Sequence, residues 1–300
     1  AFVKQRLKGV RCMLEEFRAL PAPDAPLLPP LPGWSFIDWV RGLTQVNHPG
    51  RDSKVHAITS LLFLNALDAA AQLEDVFGEP HLRDYNRAWA KRLAEAIDET
   101  FWDESRGLFA DAPERTTYSE HAQCLALLAG HFPRREDACF ESLMTADDLA
   151  RTTVYFSFYL LEVFAKFGRG DLLHDKLGFW KDLAAQGMKT PVESPEPSRS
   201  DCHAWGSHPL FHLHASLAGI RPAEPGFASV SITPSPGPLN EIASTIPHPK
   251  GTISLQMKRD GDTWHATATL PDGVPGTLHW QGKPHELSKT TRLELPAGLQ

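Results

Sequence analysis

The sequence predicts a mainly α-helical fold of helical hairpins, followed by a small antiparallel β-sandwich. Through about residue 218, apolar residues recur at three- and four-residue spacing, the period of one helix face. Segments that are apolar nearly all round alternate with segments carrying a single apolar stripe, so inner helices pair with outer ones. Beyond Arg221-Pro222 the period changes to two, the pattern of half-buried strands. This places a helical domain at 1–221 and a β domain at 222–300. Paired inner and outer helices fit an α/α toroid, and the hairpins of a solenoid read the same way.

The first helix is expected from Phe2 to about Leu20, with Val3, Leu7, Val10, Leu14 and Phe17 on one face. Pro21 to Gly33 is too proline-rich to be helical. Trp34-Ser-Phe-Ile-Asp-Trp39 follows, and two tryptophans around Asp38 read either as a sugar-binding wall or as packed core with a surface carboxylate. A buried helix is expected from Asp52 to Phe77, begun by Asp52 or Ser53 and stopped by Gly78. Its amphipathic partner runs from Glu79 to Trp102, with Leu82, Tyr85, Trp89, Leu93 and Ile97 as the buried stripe. The alternation repeats over Tyr118–His131, Arg134–Met144, Asp147–Phe167 and Asp171–Ala185. A last helix, from His203 or Pro209 to Ala218, is ended by Gly219.

In the β domain, Val230 and Ile232 alternate with polar residues. Ile253, Leu255 and Met257 do the same, Asp260-Gly261 gives a turn, and Trp264, Ala266, Ala268 and Leu270 return as the second arm of a hairpin. Thr277–Trp280 and Arg292–Leu295 are further strands, and the domain reads as a brace for the helices.

Three hundred residues, 42% of them hydrophobic, bury a substantial core. A formal charge of -7 without a basic run argues against a nucleic-acid partner. No apolar stretch reaches membrane-spanning length uninterrupted, so no membrane partner is expected. Cys12, Cys124, Cys139 and Cys202 are scattered, form no C-x-x-C pair and require no disulfide, which ranks a cytoplasmic setting slightly ahead of an exported one.

The chemistry concentrates in Lys189-Thr-Pro-Val-Glu-Ser-Pro-Glu-Pro-Ser-Arg-Ser-Asp-Cys-His-Ala-Trp205. Its three prolines make it a stiff, non-helical loop between helical patterns. It carries Glu193, Glu196, Arg199, Asp201, His203 and Trp205. Carboxylates move protons or activate water, and an indole offers the flat apolar face of a sugar a stacking partner. Solvated acids, with Ser200 or Asp201 capping the next helix, are the plainer account of the same residues.

The run from Val192 to Gly206, with Leu217-Ala-Gly-Ile-Arg-Pro222 and Pro225-Gly-Phe227, closely resembles the bacterial α-L-rhamnosidases of glycoside hydrolase family 78. Trp34–Trp39, Tyr118-Ser-Glu-His-Ala-Gln123 and Thr152-Thr-Val-Tyr-Phe-Ser-Phe158 extend the resemblance over nearly the whole chain. It implies part of an (α/α)6 toroid, with the opening hairpins preceding Ala1 in the same polypeptide. It also implies an inverting hydrolase that releases terminal α-L-rhamnose from glycosides and oligosaccharides. By position, Glu193 resembles the general base and His203 the histidine that binds sugar hydroxyls or holds the base. Asp38 and Trp39 resemble part of the rhamnose pocket, and Trp34 and Trp205 are further candidates for sugar contact. Two departures stand out. Pro191-Val192 precede Glu193 where many relatives have an aromatic residue, usually Trp. The family's general acid lies in an acidic, Arg-rich segment that has no match here, so the 300 residues alone are expected to show little or no hydrolysis.

Other chemistries fit worse. His208, His212 and His214 are close in sequence, but a zinc-protease glutamate is missing and Pro209 marks a helix start, so they are taken as structural and no metal is expected. No G-x-S-x-G elbow, phosphate loop or dinucleotide fingerprint occurs, and no cofactor is expected. The alternatives to a glycosidase are a noncatalytic carbohydrate-binding or degenerate toroid protein lacking the acid, and a structural scaffold of helical hairpins.

Overall fold

Helix α1 (Phe2–Arg18) buries Leu7 and Leu14 from its expected stripe. It opens a computed structural model that describes residues 2–21, 25–31, 35–40, 44–45 and 54–297. The chain divides into two units, Ala1–Leu160 and Leu161–Gln300, and the sequence division at 221/222 falls inside the second.

In the first unit, α2 (Ala57–Phe77) buries one broad face, from Ala57 and Ile58 through Leu67 to Glu74, and exposes a stripe through Leu62, Ala66, Ala69, Gln72 and Val76, so it is less buried than its apolar composition predicts. It starts at Ala57 rather than near residue 52, because His56 takes the capping role. The His56 backbone is extended and Nδ1 accepts the Thr59 amide at 3.5 Å. Asp52 and Ser53, the expected caps, lie outside the described residues. At the other end Gly78 closes the helix beside Glu74. Glu74 is buried and accepts both prongs of Arg11 from α1 at 2.7 Å, and the Glu79 amide at 2.9 Å. The Arg11 hydrogen bonds hold its carboxyl below the usual carboxylate range. A Cβ at residue 78 would stand 1.8 Å from Glu74 Oε2, so only glycine leaves room for this carboxylate.

Helix α3 (Pro80–Phe101) packs back on α2, with its buried face rotated from the expected stripe. Asn86, Ala90, Leu93, Ala94, Ile97 and Phe101 are buried, whereas Tyr85 is 42% exposed. The Arg18 guanidinium lies over the Tyr85 ring at 4.4 Å, an aromatic use of the surface that apolar periodicity alone does not distinguish from core. Strands β1 (Ser35–Phe36) and β2 (Thr44–Gln45) pair antiparallel, as do β3 (Trp102–Asp103) and β4 (Leu108–Phe109). Helix α4 (Glu120–Ala129) packs on α2 as the next inner helix, and α5 (Glu136–Thr145) on α4 as its outer partner.

The helix expected over Asp147–Phe167 is confined to α6 (Ser157–Lys166). Upstream of it, Ala150 bridges Ser119, and the amides of Thr152 and Thr153 donate to Glu120 at 2.6 Å and to Asp38 at 2.7 Å. Backbone donors claimed by distant carboxylates cannot serve a helix, and β-branched Thr152-Thr153-Val154 favours the extended form.

In the second unit the single helix expected over Asp171–Ala185 breaks into α7 (Gly170–Lys176) and α8 (Gly178–Ala185). The last helical segment is α9 (His208–His212), continued by one π turn over Leu213–Leu217. Gly219 then turns the chain at φ 72°, and a Cβ there would meet Thr233 O at 2.0 Å.

The β region forms two four-stranded sheets. One contains β5 (Ile220–Pro222), β6 (Val230–Ile232), β10 (Gly276–Trp280) and β11 (Lys283–Leu287); the other contains β7 (Glu241–His248), β8 (Gly251–Asp260), β9 (Thr263–Thr269) and β12 (Thr290–Pro296). The expected hairpin is β8–β9, with Leu255 opposite Ala268 and Met257 opposite Ala266. Pairing is antiparallel except for β6 beside β10. Ile232 and Leu278 from one sheet share a core with Ile253, Leu255 and Leu295 from the other, the arrangement of a sandwich. Trp264 and Trp280 are interior at 3% and 7% exposure, so neither offers a sugar platform.

Candidate functional site

The 189–205 loop is held across its own base. Thr190 Oγ1 donates to Asp201 O, the His203 amide to Pro191 O at 2.8 Å, and the Glu193 amide to Ser200 O at 2.9 Å. The Trp205 indole Nε1 donates to Glu193 O at 2.8 Å, fixing the acid's main chain on both sides. The side chain of Glu193 is 1% exposed, and both its oxygens accept from Arg199. Val192, the departure from the family pattern, is wholly buried beside it. The His203 ring lies 4.3 Å from the Trp205 ring. The structure thus brings Glu193, His203 and Trp205 into one constellation and adds Arg199, whose role the residue pattern did not specify. Glu196 turns to the Ser198 amide at 2.7 Å and takes no part in it.

Asp38 and Trp39 lie in the first unit, in a bracket of their own. Asp38 has no exposed surface. Its Oδ1 accepts the Trp39 amide at 2.8 Å and the Thr153 hydroxyl; its Oδ2 accepts the Thr153 amide at 2.7 Å and pairs with His121 Nε2 at 2.9 Å. Its carboxylate therefore serves the fold, holding the half-buried Trp39 in place beside Phe36, whose ring is 5.1 Å away. Trp34 lies outside the described residues.

The Tyr118–Gln123 motif turns out to be the frame of this bracket. Tyr118 donates to Asp103 at 2.6 Å, and Ser119 caps α4 and donates to Asp111 at 2.6 Å. Glu120 accepts from Arg151 and Thr152, His121 meets Asp38, and Gln123 both donates to and accepts from the Phe109 backbone at 2.8 Å. His121 and Thr153 escaped sequence reasoning as partners of Asp38. The signal was the recurrence of polar residues on helical and β-branched segments that otherwise read as core.

Of the three histidines near the C-terminal helix, His208 and His212 meet edge to face at 5.4 Å, and each of the three also has a partner of its own. His208 packs on Trp180, His214 Nδ1 meets Ser244 Oγ at 2.8 Å, and His212 Nδ1 meets Ser216 Oγ at 2.9 Å. Burial first, then His208 and Arg221, push His212 down to about 3, so it is neutral at physiological pH. Arg221 braces the π turn through Ala215 O at 2.7 Å and grips Glu162 with two prongs at 2.9 and 2.7 Å. Among the described residues, no group of three His, Cys, Asp or Glu is arranged to hold a metal, and no helix is long and apolar enough to cross a membrane.

Comparison with known proteins places the fold. The bacterial α-L-rhamnosidase six-hairpin glycosidase domain matches residues 23–217, and the bacterial α-L-rhamnosidase C-terminal domain matches 219–292. Among solved structures, the family 78 rhamnosidase of Bacillus sp. GL1 is 23% identical with a TM-score of 0.75, over 90% of this chain and 29% of that one. The Aspergillus terreus α-L-rhamnosidase is 17% identical with a TM-score of 0.79, over 97% and 36%. The Streptomyces avermitilis enzyme, solved with L-rhamnose, is 18% identical with a TM-score of 0.71, over 92% and 27%. The chain thus spans about a third of the length of these relatives. No curated protein matches it. A helical hairpin region that ends in a sandwich, matched over both parts in order, assigns the chain to the bacterial α-L-rhamnosidases of the six-hairpin glycosidase family.

Proposed function

We propose that the chain carries the base side of an inverting α-L-rhamnosidase site, with Glu193 as the general base. The observation that supports this most is the treatment of Glu193. A carboxylate 1% exposed, fixed through its own amide and carbonyl within a loop that also presents His203 and Trp205, is held as a reactive group is held. In the reaction, water bonds to the anomeric carbon and gives its proton to Glu193. The glycosidic bond breaks on the opposite face, and the leaving oxygen takes a proton from a carboxylic acid. His203 binds sugar hydroxyls, and Trp205 supplies an apolar wall.

The alternative is a noncatalytic sugar-binding protein of the same fold. The two readings share a pocket and differ in turnover. Calorimetric titration of the chain with L-rhamnose tests the pocket. One-to-one binding is expected, weakened about tenfold or more by His203→Ala. A titration without heat at millimolar sugar, or a variant that binds as the parent does, would remove both readings.

A further inference from the structure

The two halves of the Glu193–Arg199 pair are placed very differently. The Glu193 side chain is 1% exposed and that of Arg199 is 71% exposed. Arg199 Nε donates to Oε2 at 3.0 Å and Nη2 to Oε1 at 2.5 Å, so a single planar fork occupies both oxygens of the acid. The main chain of the acid is held without this fork. Its amide is bound to Ser200 O at 2.9 Å, its carbonyl accepts Trp205 Nε1 at 2.8 Å, and neighbouring Val192 is buried. Arg199 stands instead on the 196–200 turn, whose bonds from the Ser198 amide to Glu196 at 2.7 Å and from Ser198 Oγ to Ser200 O at 3.0 Å are internal to it. The movable half of the pair is therefore the guanidinium on its exposed arm. That arm has kept most of its hydration, so withdrawing the fork into water is far cheaper than moving the buried acid.

A carboxylate gripped on both oxygens and shut off from solvent cannot take a proton from water. We propose that Arg199 is a displaceable cap on Glu193, closed over the acid in the sugar-free protein and exchanged for sugar hydroxyls and water when rhamnose enters. The inference rests on reading Glu193 as the base. Closed, the cap keeps the buried acid dry. Open, it frees at least one oxygen for the attacking water. Because the closed form competes with sugar, it lowers the apparent affinity by the fraction of molecules that are capped.

Two measurements on the chain test this. In the first, the Nε–Hε resonance of Arg199, assigned by its loss in Arg199→Met, is followed by NMR during titration with L-rhamnose. The cap predicts that it moves towards the position of a solvated arginine in step with occupancy. In the second, Arg199→Met binds L-rhamnose about threefold or more tighter than the parent, and Arg199→Lys, which keeps the charge without the fork, lies between them. A resonance that stays put at saturating sugar, or a Met variant that binds equally or more weakly, overturns the cap and leaves the reading of Glu193 standing. Absence of L-rhamnose binding to the parent chain overturns the reading and the cap together.

Discussion

Glu193, His203 and Trp205 were legible as a group because they lie within one short stretch, where spacing alone brings them near one another. The partners of Asp38 were not, because His121 and Thr153 are 83 and 115 residues away and nothing local marks the pairing. Asp111 is different: its partner is eight residues away, it is 1% exposed, it accepts Ser119 Oγ at 2.6 Å on one oxygen, and its other oxygen is buried without a partner among the described residues. Burial pushes its carboxyl from 3.8 up to about 7. Between these values the folded protein binds a proton that the unfolded chain releases, so the stabilisation is full below about pH 4 and is lost as pH rises through about 7. Asp111→Asn, which keeps the neutral form, should match the parent near pH 4 and exceed it at pH 8 by on the order of 2–4 kcal/mol. Denaturant melts at the two pH values check this, and an equal difference at both would contradict it.

Helices α2 and α3 and the β8–β9 hairpin follow from periodicity, since burial against neighbours is what writes the pattern. Periodicity failed where side chains divert the backbone. The Thr152–Thr153 amides serve Glu120 and Asp38, so the expected helix through residue 147 does not form. Tyr85 carries an arginine on α3 instead of filling the core. Two changes test these element-level devices. Gly78→Ala forces the Glu74 carboxylate away from Arg11 and the Glu79 amide, and should cost about 2 kcal/mol or more in chemical denaturation. Gly130→Ala, at a helix end whose φ is 69° but whose Cβ direction is open, should cost only about 1 kcal/mol. Equal losses would show that the Glu74 junction contributes nothing special. His131 pairs with Asp68 of α2 at 2.9 Å, and this hydrogen bond raises the imidazole above its usual value. Its stabilisation is present below about pH 6.5 and lost as pH rises through the raised value. His131→Gln should therefore lower the melting temperature at pH 6 and leave it unchanged at pH 9, and a loss that persists at pH 9 would contradict this.

Over the whole chain, the change of period after residue 221 announced the sandwich, and the inner–outer alternation announced hairpins. Neither could say how many hairpins complete a ring, because each hairpin writes the same local pattern whatever its neighbours. The chemistry has the same limit: on the reading proposed for Glu193 the base is written in one loop, and the resemblance puts its acid in a segment without a match in these residues. The 300-residue chain should accordingly bind L-rhamnose yet hydrolyse aryl α-L-rhamnosides at a negligible rate, and rapid turnover by the chain alone would contradict that division of labour. The central claim is that Glu193 activates water for attack with inversion. Time-resolved proton NMR of aryl α-L-rhamnoside hydrolysis, by the protein as encoded in its gene and by its Glu193→Gln variant, tests it most directly. The account predicts β-L-rhamnose as the first product and a loss of about a thousandfold in kcat for the variant. An α-anomer formed first, or a variant that turns over at the parent rate, would contradict it.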